Sequence, residues 1–195
     1  MAGPTSTPGS TRSAGRNRGR PPASAPPAAT DAEILETALD AFAEAGFAGT
    51  SVRDLARRLN VSHNLVPQRF GSKERLWYAA VDHGFAAVGE AAQVTVVPDD
   101  PFETLRRLIV AFVEATAARP AILRIINQEA AIAGPRLDYL FSRYLGPSSR
   151  QVESALAELQ RCGRARAIPN AAFYFLLTHG IAGPLALAPL AERFG

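Results

Sequence analysis

The sequence is poor in the residues that support disulfides and membrane spans. It has a single cysteine, Cys162, among its 195 residues, so no disulfide can form within the chain, as is typical of proteins in a reducing compartment. No run of 18 or more apolar residues occurs, although a membrane-spanning helix requires one. The arginines near the N-terminus are not followed by the apolar stretch of a signal peptide. These absences favour a cytoplasmic protein without a membrane partner.

Acidic residues are absent from the first 30 positions, which carry four arginines (Arg12, Arg16, Arg18 and Arg20) and a net charge of +4. This stretch is rich in Pro, Gly, Ser and Thr and has few large apolar side chains, so residues 1–29 are predicted to be a disordered basic tail. Its Arg18–Pro21 motif, "RGRP", resembles the core of an AT-hook, which lies in the minor groove of DNA. A generic basic arm explains the same four residues equally well.

From Thr30 onward the chain lacks the sustained two-residue alternation of strands, and apolar residues repeat at helical spacing instead. The sequence therefore predicts an all-α fold. Thr30 and Glu33 have the spacing of a capping box, which places the start of the first helix. Ser51 and Asp54 have the same spacing, which places the start of the second helix.

A helix-turn-helix unit is predicted within residues 30–76. The second helix runs from Val52 to Leu59, and Asn60 occupies a position that calls for the left-handed conformation. Ser62 is predicted to cap the third helix after this short turn, and Val66 and Phe70, four residues apart, should face inward.

Pro67 conflicts with this third helix. With Ser62 as its N-cap, Pro67 is the fifth helical residue, and a proline in a helix interior costs roughly 3 kcal/mol because it removes a hydrogen-bond donor. The anchoring of Val66 and Phe70 favours a kinked helix over the loss of the helix. We expect the kink between Val66 and Gln68.

Residues 77–195 are predicted to be helical throughout. Apolar spacing and prolines place helices from residue 73 into the low 90s and at 102–118, 120 to about 133, 135–161 and 170–179. Gly146-Pro147 should kink or split the helix at 135–161.

The segment "ILETALDAFAEAGFAGTSVRDLARRLNVSHNLVPQRFGSKERLWYAAV", residues 34–81, resembles the N-terminal domain of the TetR family of bacterial transcriptional regulators. The resemblance rests on "AGF", "TSVRDLA", "VS" and "FGSK" in this order. It implies an N-terminal three-helix helix-turn-helix domain followed by a helical ligand-binding and dimerisation domain. It also implies a homodimer that binds a palindromic double-stranded DNA operator, usually as a repressor released by a small ligand.

The same resemblance implies DNA-contacting residues, matched position by position. Two lie at the start of the second helix, five on the recognition helix and one at the start of the fourth helix: Ser51 and Arg53; Ser62, His63, Asn64, Gln68 and Arg69; and Lys73. Pro67 departs from the family pattern, in which most members carry a DNA-contacting tyrosine. A small-molecule-binding helical protein that has lost DNA binding through Pro67 is therefore a second hypothesis.

Seven aromatic side chains are candidates for a pocket that binds a small apolar or amphipathic ligand: Phe102, Phe112, Tyr139, Phe141, Tyr144, Phe173 and Phe175. Aromatic residues at helical spacing also serve as plain core. The histidines are isolated, and no spacing typical of a metal, a cofactor or a catalytic triad occurs. We therefore expect no enzyme activity and no cofactor.

The resemblance implies dimerisation through the last two long helices, from Asn170 onward. Because the sequence ends at Gly195 after the short "APLAERFG", we expect a shortened final helix and a weakened dimer interface.

Overall fold

The computed structural model describes residue 3, residues 29–92 and residues 97–194, and no strand occurs in these ranges, in agreement with the predicted all-α fold. The first four helices are α1 (Asp31–Gly49), α2 (Val52–Arg58), α3 (Leu65–Phe70) and α4 (Lys73–Ala92). The later ones are α5 (Pro101–Ala118), α6 (Pro120–Ala130), α7 (Pro135–Leu140), α8 (Gly146–Arg161), α9 (Asn170–Phe175), α10 (Gly183–Ala186) and α11 (Ala188–Ala191). The Arg18–Pro21 motif and the predicted tail, apart from Gly3 and Ala29, lie outside the described residues.

Helix α1 begins and ends as its sequence dictates. The Thr30 hydroxyl accepts a hydrogen bond from the Glu33 N–H (3.2 Å), and the Glu33 carboxylate accepts one from the Thr30 N–H (2.7 Å). The predicted capping box is thus confirmed. Gly46 interrupts the helix with a φ of 71°, a value that glycine adopts without steric cost. The Thr50 hydroxyl donates to the Gly46 carbonyl (2.8 Å) and closes the break.

Local residues also set the start of α2 and the turn that follows it. The Ser51 hydroxyl accepts a hydrogen bond from the Asp54 N–H (3.4 Å), which caps α2. Asn60 has the predicted left-handed conformation, with a φ of 52°. Asparagine tolerates this region better than most residues because its short polar side chain can bond locally.

The buried core joins α1, α4 and α6. Ile34, Phe42 and Trp77 are each at most 1% exposed, and the buried cluster that contains them continues into α6 and α7. Helices α1 and α4 approach closely, since a Cβ at Gly84 would lie 2.9 Å from the Leu39 side chain. The predicted domain boundary at residue 76 falls inside α4. Helices α1 to α4 share one buried core with α6 and α7 of the C-terminal part.

Two wide helical turns interrupt the C-terminal helices. Residues 141–145 form a π-helical turn in which the Gly146 N–H bonds the Phe141 carbonyl, and residues 176–181 form a second, in which the Ala182 N–H bonds the Leu177 carbonyl (3.0 Å). Each turn is followed closely by a proline, which cannot donate to the preceding turn. The predicted disturbance at Gly146-Pro147 thus takes the form of a widened turn.

Candidate functional site

Helix α3 begins two residues later than the sequence predicts. The Leu65 N–H bonds the Ser62 carbonyl (2.9 Å) in a turn, and the Ser62 hydroxyl accepts from the Asn64 N–H (3.4 Å) instead of capping the helix. The first intrahelical bond runs from the Gln68 N–H to the Asn64 carbonyl (3.0 Å). Pro67 is therefore the third helical residue, where an N–H would have no partner in the helix. The predicted register, the interior proline cost and the kink are wrong.

The surface formed by α2 and α3 presents polar side chains to solvent. Of the predicted DNA-contacting residues, six are exposed here: Arg53, Ser62, His63, Asn64, Gln68 and Arg69. Arg57 and Arg58 are exposed too, but Arg57 pairs with Asp54 and Arg58 with Glu44 (2.9 Å). These two pairs lower the net positive charge of this surface.

Arg69 is tied to the start of α1. One of its terminal nitrogens lies 2.7 Å from the Asp31 carboxylate and 2.7 Å from the Ala29 carbonyl oxygen, and its side chain is 32% exposed. These contacts link the last turn of α3 to the first residue of α1 and to Ala29 just before it. The sequence did not indicate this role, because the partners lie about 40 positions away.

Ser51 and Lys73 also have partners within the chain. The Ser51 hydroxyl is used in the cap of α2. The Lys73 ammonium donates to the Ala48 carbonyl (3.3 Å) and lies 4.6 Å from the centre of the Phe47 ring. Ser51 thus holds the start of α2, and Lys73 ties the start of α4 to the last turn of α1.

A second candidate site is a cavity of about 430 Å³ in the C-terminal part. Helices α5, α6, α8 and α9 and both π-helical turns contribute to its wall, and Phe85 of α4 closes one side. Most of the lining is apolar, for example Leu108, Ile122 and Val152. A space of this size and character can hold a small organic ligand.

Three of the seven predicted aromatic residues, Phe112, Tyr144 and Phe173, line this cavity; whether a ligand contacts them stays a prediction. The other four lie outside the lining, which corrects the expectation. Phe102, Phe141 and Phe175 are each more than half exposed. Tyr139 packs instead on the core, with its ring 4.6 Å from that of Tyr78. Helical spacing shows which face is buried, but the position of a gap between helices depends on their packing.

The charged residues that the described part of the chain contributes to the cavity wall are two arginines, Arg119 and Arg143, with no acidic residue among them. Each arginine is paired with a carboxylate on an N-terminal helix. Arg119 lies 2.7 Å from Glu36 of α1, and Arg143 lies 3.6 Å from Asp82 of α4. Neither arginine was predicted from the sequence to line a pocket; the position of Arg119 directly before the helix-starting Pro120 was the available signal.

Asp82 joins α4 to the first π-helical turn. Its carboxylate accepts hydrogen bonds from the hydroxyls of Tyr139 and Tyr144. Burial of the two rings raises the pKa of Tyr139 and of Tyr144, and the hydrogen bonds to Asp82 raise each pKa further, so both side chains stay neutral donors. Tyr144 also stacks on Phe85, with ring centres 4.0 Å apart. A cavity-lining residue is thereby fixed to α4.

Within the described ranges, no three His, Cys, Asp or Glu side chains cluster in a way that could hold a metal ion. No helix in those ranges has the length and apolar character needed to cross a membrane.

The N-terminal helices are similar to those of known regulatory proteins. Residues 34–80 match the model of the bacterial regulatory proteins of the tetR family. The HTH-type transcriptional repressor Rv3405c of Mycobacterium tuberculosis is 52% identical over 52 residues, which are 27% of this chain and 28% of the relative. The HTH-type transcriptional repressor NicS of Pseudomonas putida is 26% identical over 97 residues, which are 49% and 46%. The matches thus span less than half the length of these relatives.

A solved structure resembles most of the chain. The TetR family transcriptional regulator PfmR from Thermus thermophilus superposes with a TM-score of 0.65 over 80% of this chain and 85% of that chain, at 23% identity. At this identity the likeness shows the fold, which extends beyond the matched N-terminal segment into the C-terminal helices.

Proposed function

We propose that this chain, whose residues 34–80 match the bacterial regulatory proteins of the tetR family, is a DNA-binding transcriptional regulator of that family. It represses by binding a palindromic operator as a homodimer, and a small apolar or amphipathic ligand in the cavity releases it. The observation that carries the proposal is the unit of α2 and α3, in which Ser51 caps α2, Leu55 and Val66 lie in the buried core, and polar side chains face solvent. Because this function needs chromosomal DNA, we place the protein in the cytoplasm.

The eight predicted residues take two roles in this proposal. Exposed side chains on α3 and in the turn just before it donate and accept hydrogen bonds and suit base edges in the major groove: His63, Asn64 and Gln68. The residues around them position the unit on phosphates: Ser51, Arg53, Ser62, Arg69 and Lys73. Arg69 uses one terminal nitrogen for Asp31 and Ala29, and the guanidinium has further donors for a phosphate.

Selection of bound DNA from a random pool, followed by affinity measurements on the selected sequence, tests the function. Gln68→Ala should weaken specific binding by about 1–3 kcal/mol and relax the preference at one base position. Arg53→Ala should weaken all sequences alike and reduce the salt slope by about 1. Arg150→Ala, which removes an exposed arginine from α8, is the matched control and should change neither. A pool without enriched sequences would contradict the proposal.

The alternative, a ligand-binding protein without DNA binding, rested on damage by Pro67. A proline in the first helical turn does little damage, so this alternative loses its physical reason. We further propose that the protein acts by binding and not by catalysis.

The domain assignment follows from the two sites. We propose residues 30–76 as the DNA-binding domain and residues 77–195 as the ligand-binding and dimerisation domain. The dimer surface is proposed near the C-terminus, where large apolar side chains are at least half exposed: Phe175, Leu176, Ile181, Leu187, Leu190 and Phe194. Exposed apolar area of this kind is typical of a surface that a second subunit covers.

A further inference from the structure

We propose that the cavity selects a ligand with an apolar body and one anionic head, a carboxylate or a phosphate. Arg119 is the specificity-determining residue that recognises this head, and in doing so it exchanges its ion pair with Glu36 of α1. The inference rests on the proposed function, since it names the class of the ligand and the contact through which the ligand acts.

The charge of the cavity wall is the first observation. Among the described residues, the lining is largely apolar and includes Arg119 and Arg143 but no Asp or Glu. A cation at the edge of an apolar space attracts an anion more strongly than it would in bulk water, because the local dielectric constant is lower. A cationic ligand would meet two like charges without a compensating carboxylate from this lining.

Arg119 is better placed for this task than Arg143. The Arg119 side chain is 30% exposed, whereas that of Arg143 is 59% exposed, so water and salt screen Arg143 more. Arg143 also bonds the Tyr144 hydroxyl (3.2 Å) and lies 5.8 Å from the centre of the Tyr144 ring. The planar guanidinium of Arg119 has five N–H donors and matches the two oxygens of a carboxylate or phosphate.

The position of Arg119 connects the cavity to α1. It lies at the non-helical junction between α5 and α6 (φ −139°), and its terminal nitrogen contacts the Glu36 carboxylate (2.7 Å), which His83 of α4 also approaches (3.2 Å). Helix α1 is held at its start by Arg69 of α3. An anion that draws Arg119 away from Glu36 therefore loosens one of the ties that fix α1 beneath the DNA-binding surface.

Competition between the ligand head and Glu36 for Arg119 must affect both partners. If the ligand head and Glu36 compete for the same guanidinium, removal of the Glu36 charge must raise the affinity for an anionic ligand and leave a neutral ligand unaffected. A wall residue that merely shapes the cavity would not produce this pattern.

Calorimetric titration of the full-length protein without DNA tests the inference, using dodecanoate, dodecan-1-ol and dodecyltrimethylammonium below their micelle concentrations. These probes share one apolar body and differ in the head. Dodecanoate should bind at least about tenfold more tightly than the alcohol, as expected for one charge-assisted hydrogen bond. The ammonium compound should bind most weakly. Dodecyl phosphate in place of dodecanoate shows which anion is preferred.

Three variants locate the contact. Arg119→Gln should reduce the preference for dodecanoate over dodecanol to about twofold or less, with dodecanol affinity unchanged as evidence of an intact cavity. Glu36→Gln should raise dodecanoate affinity and leave dodecanol unchanged. Arg143→Gln, the matched control, should keep most of the preference.

The inference is overturned if neither dodecanoate nor dodecyl phosphate binds, if dodecanol or the ammonium compound binds as tightly as the better anion, or if the preference follows Arg143. A decrease of dodecanoate affinity in Glu36→Gln would also overturn it. These outcomes are independent of DNA selection, so a protein that binds dodecanoate through Arg119 but enriches no DNA would refute the proposed function and leave the ligand class standing.

Discussion

The two ends of the described chain differ in how they bury their apolar residues. In the N-terminal helices, Ile34, Phe42 and Trp77 are at most 1% exposed, and side-chain caps begin α1 and α2. After residue 170, the helices are short, lack side-chain caps and leave Leu176 and Ile181 more than half exposed. The first region is complete within one chain, whereas the second has the character of a surface that needs a partner.

This difference matches the demands of the proposed function. A helix that reads DNA must be held rigidly, and the core beneath α3 does this through Val66, which is buried. A dimer surface must instead remain apolar and accessible until the second subunit arrives. Truncation of a buried side chain in the first region should therefore lower the stability of the single chain, whereas changes to the exposed apolar side chains of the second should chiefly affect the dimer.

The largest expected effect is on the N-terminal core. Trp77→Ala should lower the free energy of unfolding by about 3–5 kcal/mol, because it removes a fully buried aromatic side chain and leaves a cavity. Urea denaturation measures this change. Phe194→Ala, which truncates an aromatic side chain that is 85% exposed, should change the stability of the single chain by less than about 0.5 kcal/mol. Equal losses would abolish the distinction between the regions.

A second effect is expected on self-association. The double variant Leu176→Glu, Ile181→Glu should raise the dissociation constant of the homodimer by about a hundredfold or more, because charges then replace apolar contacts at the proposed interface. Sedimentation velocity at several concentrations measures it. Phe102→Glu alters an aromatic side chain of similar exposure on α5 and should leave the dimer intact. Dissociation caused by Phe102→Glu alone would place the interface elsewhere.

A smaller effect is expected at Pro67. In the first turn of α3 proline chiefly restricts the unfolded chain, so Pro67→Ala should lower the free energy of unfolding by no more than about 1 kcal/mol. Gln68→Ala, one residue along the same helix, serves as the control. If Pro67 occupied a helix interior, its replacement would instead stabilise the protein by roughly 3 kcal/mol. A marked rise in melting temperature would thus restore the register expected from the sequence.

The smallest effect concerns the cap of α1. Hydrogen bonds from the Thr30 N–H and hydroxyl lower the pKa of Glu33 below its ordinary 4.5. Because the folded chain favours the Glu33 carboxylate, these hydrogen bonds stabilise the fold at a pH above the ordinary pKa. This stabilisation is lost as the pH falls through the lowered pKa of the folded chain. The melting temperature should fall slightly less between pH 6 and pH 3 in Glu33→Gln than in the parent. An identical pH dependence would show that the cap contributes nothing through this charge.

Short-range signals explain what could be predicted from the sequence. The Thr30–Glu33 cap, the left-handed Asn60 and the extent of α4 each depend on residues within a few positions, and each is confirmed. The predicted register of α3 was wrong although it also depends on neighbouring residues. The Ser62 hydroxyl has two competing local uses: it can cap the helix, or it can accept from the Asn64 N–H in a turn.

Long-range partners explain what could not be predicted. The contact of Arg69 with Asp31 and that of Arg119 with Glu36 join residues 38 and 83 positions apart. Periodicity identifies a buried face but not the helix that will cover it. The cavity likewise exists because several helices leave a space between them where they pack, and the sequence of one helix does not predict such a space.

The bond between Arg69 and the Ala29 carbonyl (2.7 Å) has a consequence for kinetics. It anchors the exit point of residues 1–28 beside the last turn of α3. Arg20 is nine residues from this anchor and can reach at most about 30 Å from it. In the proposed complex with DNA on α3, this covalent tether would hold the four tail arginines at a high effective concentration near the docked phosphates. We expect contacts of this kind to form after the helix has docked and to slow dissociation.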